Sequence, residues 1–222
     1  MARIEDYGLI SDLQAAALVG SDGSIDWACF PRFDSDACFA ALLGTHEHGR
    51  WVVAPRGDAW EAGRRYPPRT LVLETDWEMD SGKVRVIDFM PPRGRAPDIV
   101  RIVEGLHGEV EMVSELVVRY EYGSTVPWVQ RIDGDDRVAV AGPDALCFRS
   151  GVKHRGENMR TLADFTVRDG DRVPFTLTWY PSHEPPPRRV DARSDWSLSS
   201  DAVVNTVVVS PRPTDPPATW NM

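Results

Sequence analysis

The sequence predicts an all-β protein: a large antiparallel β-sandwich with one short helix, filling residues 1–185. Three observations point there. Several segments alternate apolar and polar residues with the period of a strand, most plainly Glu109 to Tyr120. In that run Val110, Met112, Ser114, Leu116 and Val118 share one face, and Glu111, Val113, Glu115, Val117 and Arg119 share the other. Turn signals such as Asp22-Gly23, Ser81-Gly82, Asp133-Gly134, Gly142-Pro143 and Asp169-Gly170 recur at short spacing between such segments. Only one stretch, Ser35 to Leu43, carries helical spacing, with Cys38 and Leu42, and Phe39 and Leu43, four residues apart.

Taken in order, Ala16 to Val19 and Ser24 to Phe30 read as strands joined through Asp22-Gly23, a pair suited to a two-residue type I′ turn. Pro31 cannot donate to a ladder and ends the second strand. Asp34 or Ser35 is placed to cap the short helix, and Gly44 to close it. Thr45 to Gly49 reads as a loop, Trp51 to Ala54 as a strand stopped by Pro55, and Asp58 to Gly63 as a polar turn. Strands follow over Thr70 to Thr75, Lys83 to Phe89 and Ile99 to Leu106, and Gly108 separates the last of these from Glu109 to Tyr120. Arg137 to Ala141, Ala145 to Arg149, Thr161 to Arg168 and Val173 to Tyr180 complete the set. Beyond Pro185-Pro186-Pro187 the composition changes: residues 188–222 contain no Lys and no Glu, and Pro211 to Pro217 holds four prolines. A divergent, disordered tail is expected over residues 186–222.

A net charge of −9 disfavours a general nucleic-acid binder, which neutralises phosphates with clustered Lys and Arg. Three cysteines, Cys29, Cys38 and Cys147, form an odd set without close pairing and read as apolar fillers in a reducing compartment. Residues 1–6 carry no apolar signal core, and no run reaches about 18 apolar residues. A cytoplasmic protein with no membrane partner is expected.

The stretch from Asp6 to Ser35 carries a dense set of motifs. They are Asp6-Tyr7-Gly8-Leu9-Ile10, Ala17-Leu18-Val19, Asp22-Gly23-Ser24-Ile25-Asp26-Trp27 and Pro31-Arg32-Phe33-Asp34-Ser35. Val72-Leu73-Glu74-Thr75, Asp88-Phe89-Met90-Pro91 and Arg119-Tyr120-Glu121-Tyr122-Gly123 continue it. This series resembles the N-terminal β-sandwich domain of glycoside hydrolase family 15, the glucoamylase, glucodextranase and bacterial trehalase-like enzymes, over roughly Ile4 to Tyr180. The resemblance implies an exo-acting, inverting α-glucosidase, trehalase-like first and glucoamylase-like second. Its two catalytic glutamates lie on an (α/α)6 helical barrel C-terminal to this domain. No residue here matches those glutamates, so no catalytic residue is assigned and the chain alone is expected to be inactive. The barrel is the implied partner, trehalose or an α-glucan the implied ligand, and no cofactor is implied. The family's linker helix has no counterpart in Ser194 to Met222, so a truncated or frame-shifted gene is the expectation.

Among the candidates, Phe30, Arg32, Phe33 and Asp34 form a loop stiffened by Pro31 and suited to an interface or pocket rim. The plainer alternative is that Arg32 pairs locally with Asp34 or Asp36. Trp60 and Trp128, with polar or proline-rich neighbours, are candidates for sugar stacking if the chain is instead a stand-alone carbohydrate-binding module. Trp27 and Trp179 alternate with apolar residues and are expected in the core. His46 and His48 flank Glu47, but no third ligand stands near, and Asp133-Gly134-Asp135-Asp136 lacks calcium-loop spacing, so no metal site is assigned. Asp22 and Asp34 read as turn and cap residues, and Asp26 and Asp36 are not assigned to catalysis.

Overall fold

A computed structural model describes residues 3–187. Fifteen strands follow one another: β1 (Tyr7–Ser11), β2 (Ala16–Gly20), β3 (Ser24–Cys29), β4 (Ala37–Phe39), β5 (Arg50–Pro55), β6 (Trp60–Arg65), β7 (Leu73–Met79) and β8 (Gly82–Phe89). They continue with β9 (Asp98–Val117), β10 (Trp128–Arg131), β11 (Arg137–Ala141), β12 (Asp144–Ser150), β13 (Arg155–Glu157), β14 (Arg160–Arg168) and β15 (Arg172–Pro181). All pair antiparallel.

Strand β9 belongs to both layers. Its first half, residues 98–108, lies between β8 and β15, in the order β6-β7-β8-β9-β15-β12-β11-β10. Its second half, residues 109–117, lies between β5 and β14, in the order β1-β2-β3-β5-β9-β14-β13, with β4 added beside β3. Gly108, expected to separate two strands, instead bends one: it sits at φ 67°, and a Cβ there would stand 2.3 Å from Ser81 O. The ladder with β8 slips between Lys83 and Val84 at the same place, the signature of a bulge.

The two layers meet through aromatic rings. Trp51 on β5 meets Phe148 on β12 edge-on at 5.6 Å, and Phe175 on β15 lies 6.3 Å from Phe148 and 5.5 Å from Phe165 of β14. Such pairs add about 0.5–1.5 kcal/mol each beyond the area they bury. Among them sits a charge. Arg101 on β9 is fully buried, and its Nε and Nη2 donate to Asp88 of β8 at 2.7 and 3.2 Å. Nη1 donates to Trp51 O at 2.7 Å and Nη2 to Gly23 O at 2.8 Å, so one guanidinium ties the second layer to the first. The guanidinium also stacks 5.2 Å from the Trp51 ring.

Several local expectations are corrected. The helix expected over Ser35 to Leu43 is a short strand, β4, followed by a 3-10 turn at Ala41–Leu43. Its backbone groups are claimed by distant partners: Cys38 O accepts from Arg119 N–H, and Ala40 N–H donates to His48 O and Gly49 O. Ala37 to Ala40 are all buried, so no side of this stretch faces solvent as an amphipathic helix requires. The β2–β3 turn is not type I′. Only Gly23 is left-handed (φ 79°), Gly23 N–H donates to Gly20 O, and Asp22 Oδ1 accepts from Ser24 N–H. That is a turn of negative φ followed by a bulge glycine. Asp58 to Gly63, read as a turn, contributes most of β6, an edge strand. The expected boundary at residue 185 follows the end of β15, and residues 188–222 of the expected tail lie outside the described residues.

Replacing Arg101 by Met leaves Asp88 buried without its partner, and the expected loss is about 3–5 kcal/mol in urea unfolding. Arg101→Met combined with Asp88→Leu is expected to recover part of that loss. Equal stability of the single variant and the parent would show that the buried pair does not hold the layers.

Candidate functional site

Antiparallel pairing brings alternate connections to the same end of a sheet. In the first layer that end collects the β1–β2 turn, the β3–β4 loop, the chain entering β5, the chain leaving β9, and the β13–β14 turn. Six of the twelve exposed large apolar side chains among the described residues are here: Leu13, Phe33, Leu43, Tyr122, Val126 and Met159. Five of the six non-glycine residues with left-handed backbone are here too: Leu13 (φ 72°), Glu121 (52°), Tyr122 (58°), Asn158 (48°) and Met159 (58°). Side chains with a Cβ resist this region, and such strain persists only where the surroundings enforce it.

The enforcement can be traced. Asp12, buried, accepts from the backbone N–H groups of Gln14 (2.9 Å) and Ala15 (2.7 Å) through Oδ1 and from Arg93 Nε (2.7 Å) through Oδ2. This holds the turn that projects Leu13. Gln14 O accepts from Phe33 N–H at 2.9 Å, locking the β3–β4 loop to the same turn. After β9, Arg119 and Tyr120 are buried, and the Tyr120 hydroxyl donates to Ala139 O on β11 at 3.0 Å. The Glu121 carboxylate then accepts from Thr125 Oγ1 at 2.6 Å and closes the tight loop around Tyr122. The Tyr122 ring packs 6.1 Å from that of Trp27. Desolvation and the neighbouring Asp36 carboxylate push the Tyr122 hydroxyl's pKa up.

The sequence candidates divide. Phe33 is 58 % exposed and stands on this surface, whereas Phe30 is buried in the main core and cannot serve as a surface anchor. Arg32 pairs with Asp34 through two hydrogen bonds, at 2.9 and 3.3 Å, with both side chains exposed. The local pairing therefore holds, and Asp34 caps no helix. Trp27 is only half-buried, packed against Cys29, Ala37 and Ala40. Trp179 is likewise half-buried and donates to Asp144 Oδ1 at 2.8 Å. Trp60 and Trp128 are exposed, but they lie on β6 and β10, the two ends of the second layer's strand order, so they form no common platform. Asp26 accepts from Tyr7 and Ser24, Asp135 pairs with Arg131, and Asp136 pairs with Arg149. Among the described residues no group of three or more His, Cys, Asp or Glu side chains is placed to hold a metal. Among the described residues no helix is long and apolar enough to cross a membrane. Sequence reading missed Leu13, Leu43, Tyr122 and Met159, whose signal is slight: single apolar residues set among turn formers.

Beside this surface runs a chain of charges. Glu115 on β9 accepts from Arg50 (2.9 Å) and Arg160 (3.1 Å), and Arg160 also binds Glu47. Burial alone raises the Glu115 pKa, but the Arg50 and Arg160 guanidiniums outweigh it and hold the carboxyl below its ordinary 4.5. A carboxyl depressed in the folded state contributes stability above its unfolded pKa and loses it as pH falls through the folded value. Stability is therefore expected to fall as pH drops below about 4.5. Glu115→Gln is expected to flatten that part of the profile, measured as urea midpoint against pH. An unchanged slope would sink the assignment.

The family profile described as trehalase-like, N-terminal, matches residues 1–168. A trehalase of Mycolicibacterium smegmatis is 29 % identical over 228 residues, covering 88 % of this chain and 33 % of its own. A trehalase of Mycobacterium tuberculosis is 28 % identical over 220 residues, covering 86 % and 32 %. A trehalase of Thermoplasma acidophilum is 31 % identical over 174 residues, covering 73 % and 28 %. The chain thus spans about a third of the length of these curated relatives.

Proposed function

Because this chain belongs to the trehalase-like N-terminal domain family, we propose that it is the non-catalytic β-sandwich domain of an α-glucoside hydrolase of the glycoside hydrolase family 15 type. Its task is to dock on and support a helical catalytic barrel. The substrate is trehalose in the first reading and an α-glucan of the glucoamylase kind in the second. Inverting hydrolysis needs two carboxyl groups about 6.5–9.5 Å apart, one to protonate the leaving oxygen and one to activate water. The barrel supplies both. Three buried free thiols, Cys29, Cys38 and Cys147, fit the reducing cytoplasm as its compartment.

One observation carries this reading: exposed apolar side chains and left-handed backbone converge on one end of the first layer. Apolar groups held rigidly in water cost stability unless a partner covers them, and contiguous patches of this kind mark interaction surfaces. The Arg32–Asp34 pair beside Phe33 adds a polar rim.

A separately expressed helical-barrel domain from a full-length relative serves as the partner in a titration. Arg32→Ala with Phe33→Ala is expected to weaken its binding about tenfold or more, with the melting temperature nearly unchanged. Met159→Gly is expected to raise stability by up to about 1 kcal/mol, because it relieves the left-handed strain, while weakening docking. The competing reading, a stand-alone carbohydrate-binding module, takes its support from Trp60 and Trp128, both exposed. Retention on immobilised glucan that is lost with Trp128→Ala, together with no affinity for the barrel, would reject docking in its favour.

A further inference from the structure

A pocket of about 360 Å³ opens between the layers beside the β13–β14 turn. Its floor is apolar, formed by Leu116, Leu146, Phe148 and Leu177, and its mouth is edged by Val126, Val129 and Met159, all exposed. Three guanidiniums line it: Arg119, Arg137 and Arg160. Arg160 spends its charge on Glu115 and Glu47. The other two have no carboxylate within ion-pair distance among the described residues.

Arg119 is only 5 % exposed, and its Nη1 donates to two backbone carbonyls, Val118 O at 2.7 Å and Met159 O at 3.4 Å. Arg137 Nη2 donates to His154 O at 3.1 Å, and its Nε is buried with no partner. Burial holds both guanidiniums below their ordinary pKa. Glu157, the acidic residue in the lining, pairs with Arg155. Glu47 acts on Arg119 and Asp135 on Arg137 from beyond ion-pair distance, so neither guanidinium has a carboxylate in direct contact. Arg119 is buried and Arg137 half-buried, and each hydrogen-bonds only to neutral carbonyls, so an anion entering the pocket gains a charged partner.

We propose that this pocket binds a small organic monoanion: a carboxylate carried on a short aliphatic body. The carboxylate faces the guanidiniums of Arg119 and Arg137, and the aliphatic body lies on Leu116, Leu146, Phe148 and Leu177. The volume stands within the range of small-molecule sites, about 300–1,000 Å³. Charge-assisted hydrogen bonds give the orientation and apolar burial the affinity. The site involves no sugar chemistry, and it shares Val126 and Met159 with the docking surface.

The test titrates the full chain with hexanoate, hexan-1-ol and inorganic phosphate, reading amide shifts of Val126, Val129 and Met159 by heteronuclear NMR. Hexanoate is expected to saturate with a Kd below about 1 mM, and the alcohol and phosphate to bind at least about tenfold more weakly. Arg137→Gln is expected to weaken hexanoate about tenfold and leave the alcohol unchanged. Met159→Asp adds a negative charge at an exposed, left-handed position that Asp tolerates, and is expected to act the same way without disturbing the core. Equal binding of hexanoate and hexanol would reduce the site to an apolar void. Tighter binding of phosphate would make it a bare oxyanion site. No saturation by hexanoate at about 10 mM would remove it altogether. Each of these three results overturns the proposal.

Discussion

The Arg101–Asp88 pair is the contact on which the sandwich closes. A guanidinium taken out of water forfeits its hydration, and that penalty is recovered only if its N–H groups find acceptors in good geometry. Here four hydrogen bonds serve a fully buried head: two to the Asp88 carboxylate, one to Trp51 O and one to Gly23 O. Asp88 and Arg101 face each other across the β8–β9 ladder in the second layer, while Trp51 and Gly23 belong to the first. The pair therefore acts as a registration pin. A slip of either layer would strand a buried charge, whereas the surrounding aromatic contacts could re-form in several arrangements.

That pin works because β9 is continuous. One strand passing through both layers lets a single register propagate from β8 and β15 to β5 and β14. The bend at Gly108, a left-handed position packed against Ser81 O, aims the second half of β9 at the end where the strained loops gather. The first-layer end and the second-layer core are thus positioned by the same twenty residues.

Rigidity at that end is built from buried polar anchors rather than apolar packing. Asp12, Arg93, Arg119 and Tyr120 hold the backbone, and Leu13, Phe33, Tyr122 and Met159 are left outside. Holding left-handed backbone at non-glycine residues costs about 1–3 kcal/mol each. A surface organised in this way is pre-ordered for a partner, since little conformational freedom remains to be lost on association. The same economy shapes the arginine-lined pocket next to it, whose floor is core and whose rim is the Met159 turn.

By itself the sequence determined the class of the fold, most strand positions and the family. Side-chain alternation with period two is a local property, and Glu109 to Tyr120 displays it without reference to anything distant. The Asp22-Gly23 and Asp169-Gly170 turns are local for the same reason. The tertiary structure decided what depended on partners far along the chain. Ser35 to Leu43 carries helical spacing, yet β3, Arg119 and Gly49 claim its backbone and make part of it a strand. Phe30 and Phe33 look alike in sequence, and only the lock between Gln14 and Phe33 turns one outward while the other joins the core. Arg119 reads as an ordinary strand-face charge in the alternation of Glu109 to Tyr120, because a charged residue on a strand is normally solvated. Its burial, like that of Arg101, follows from the two layers closing on each other, and no spacing within ten residues encodes that closure.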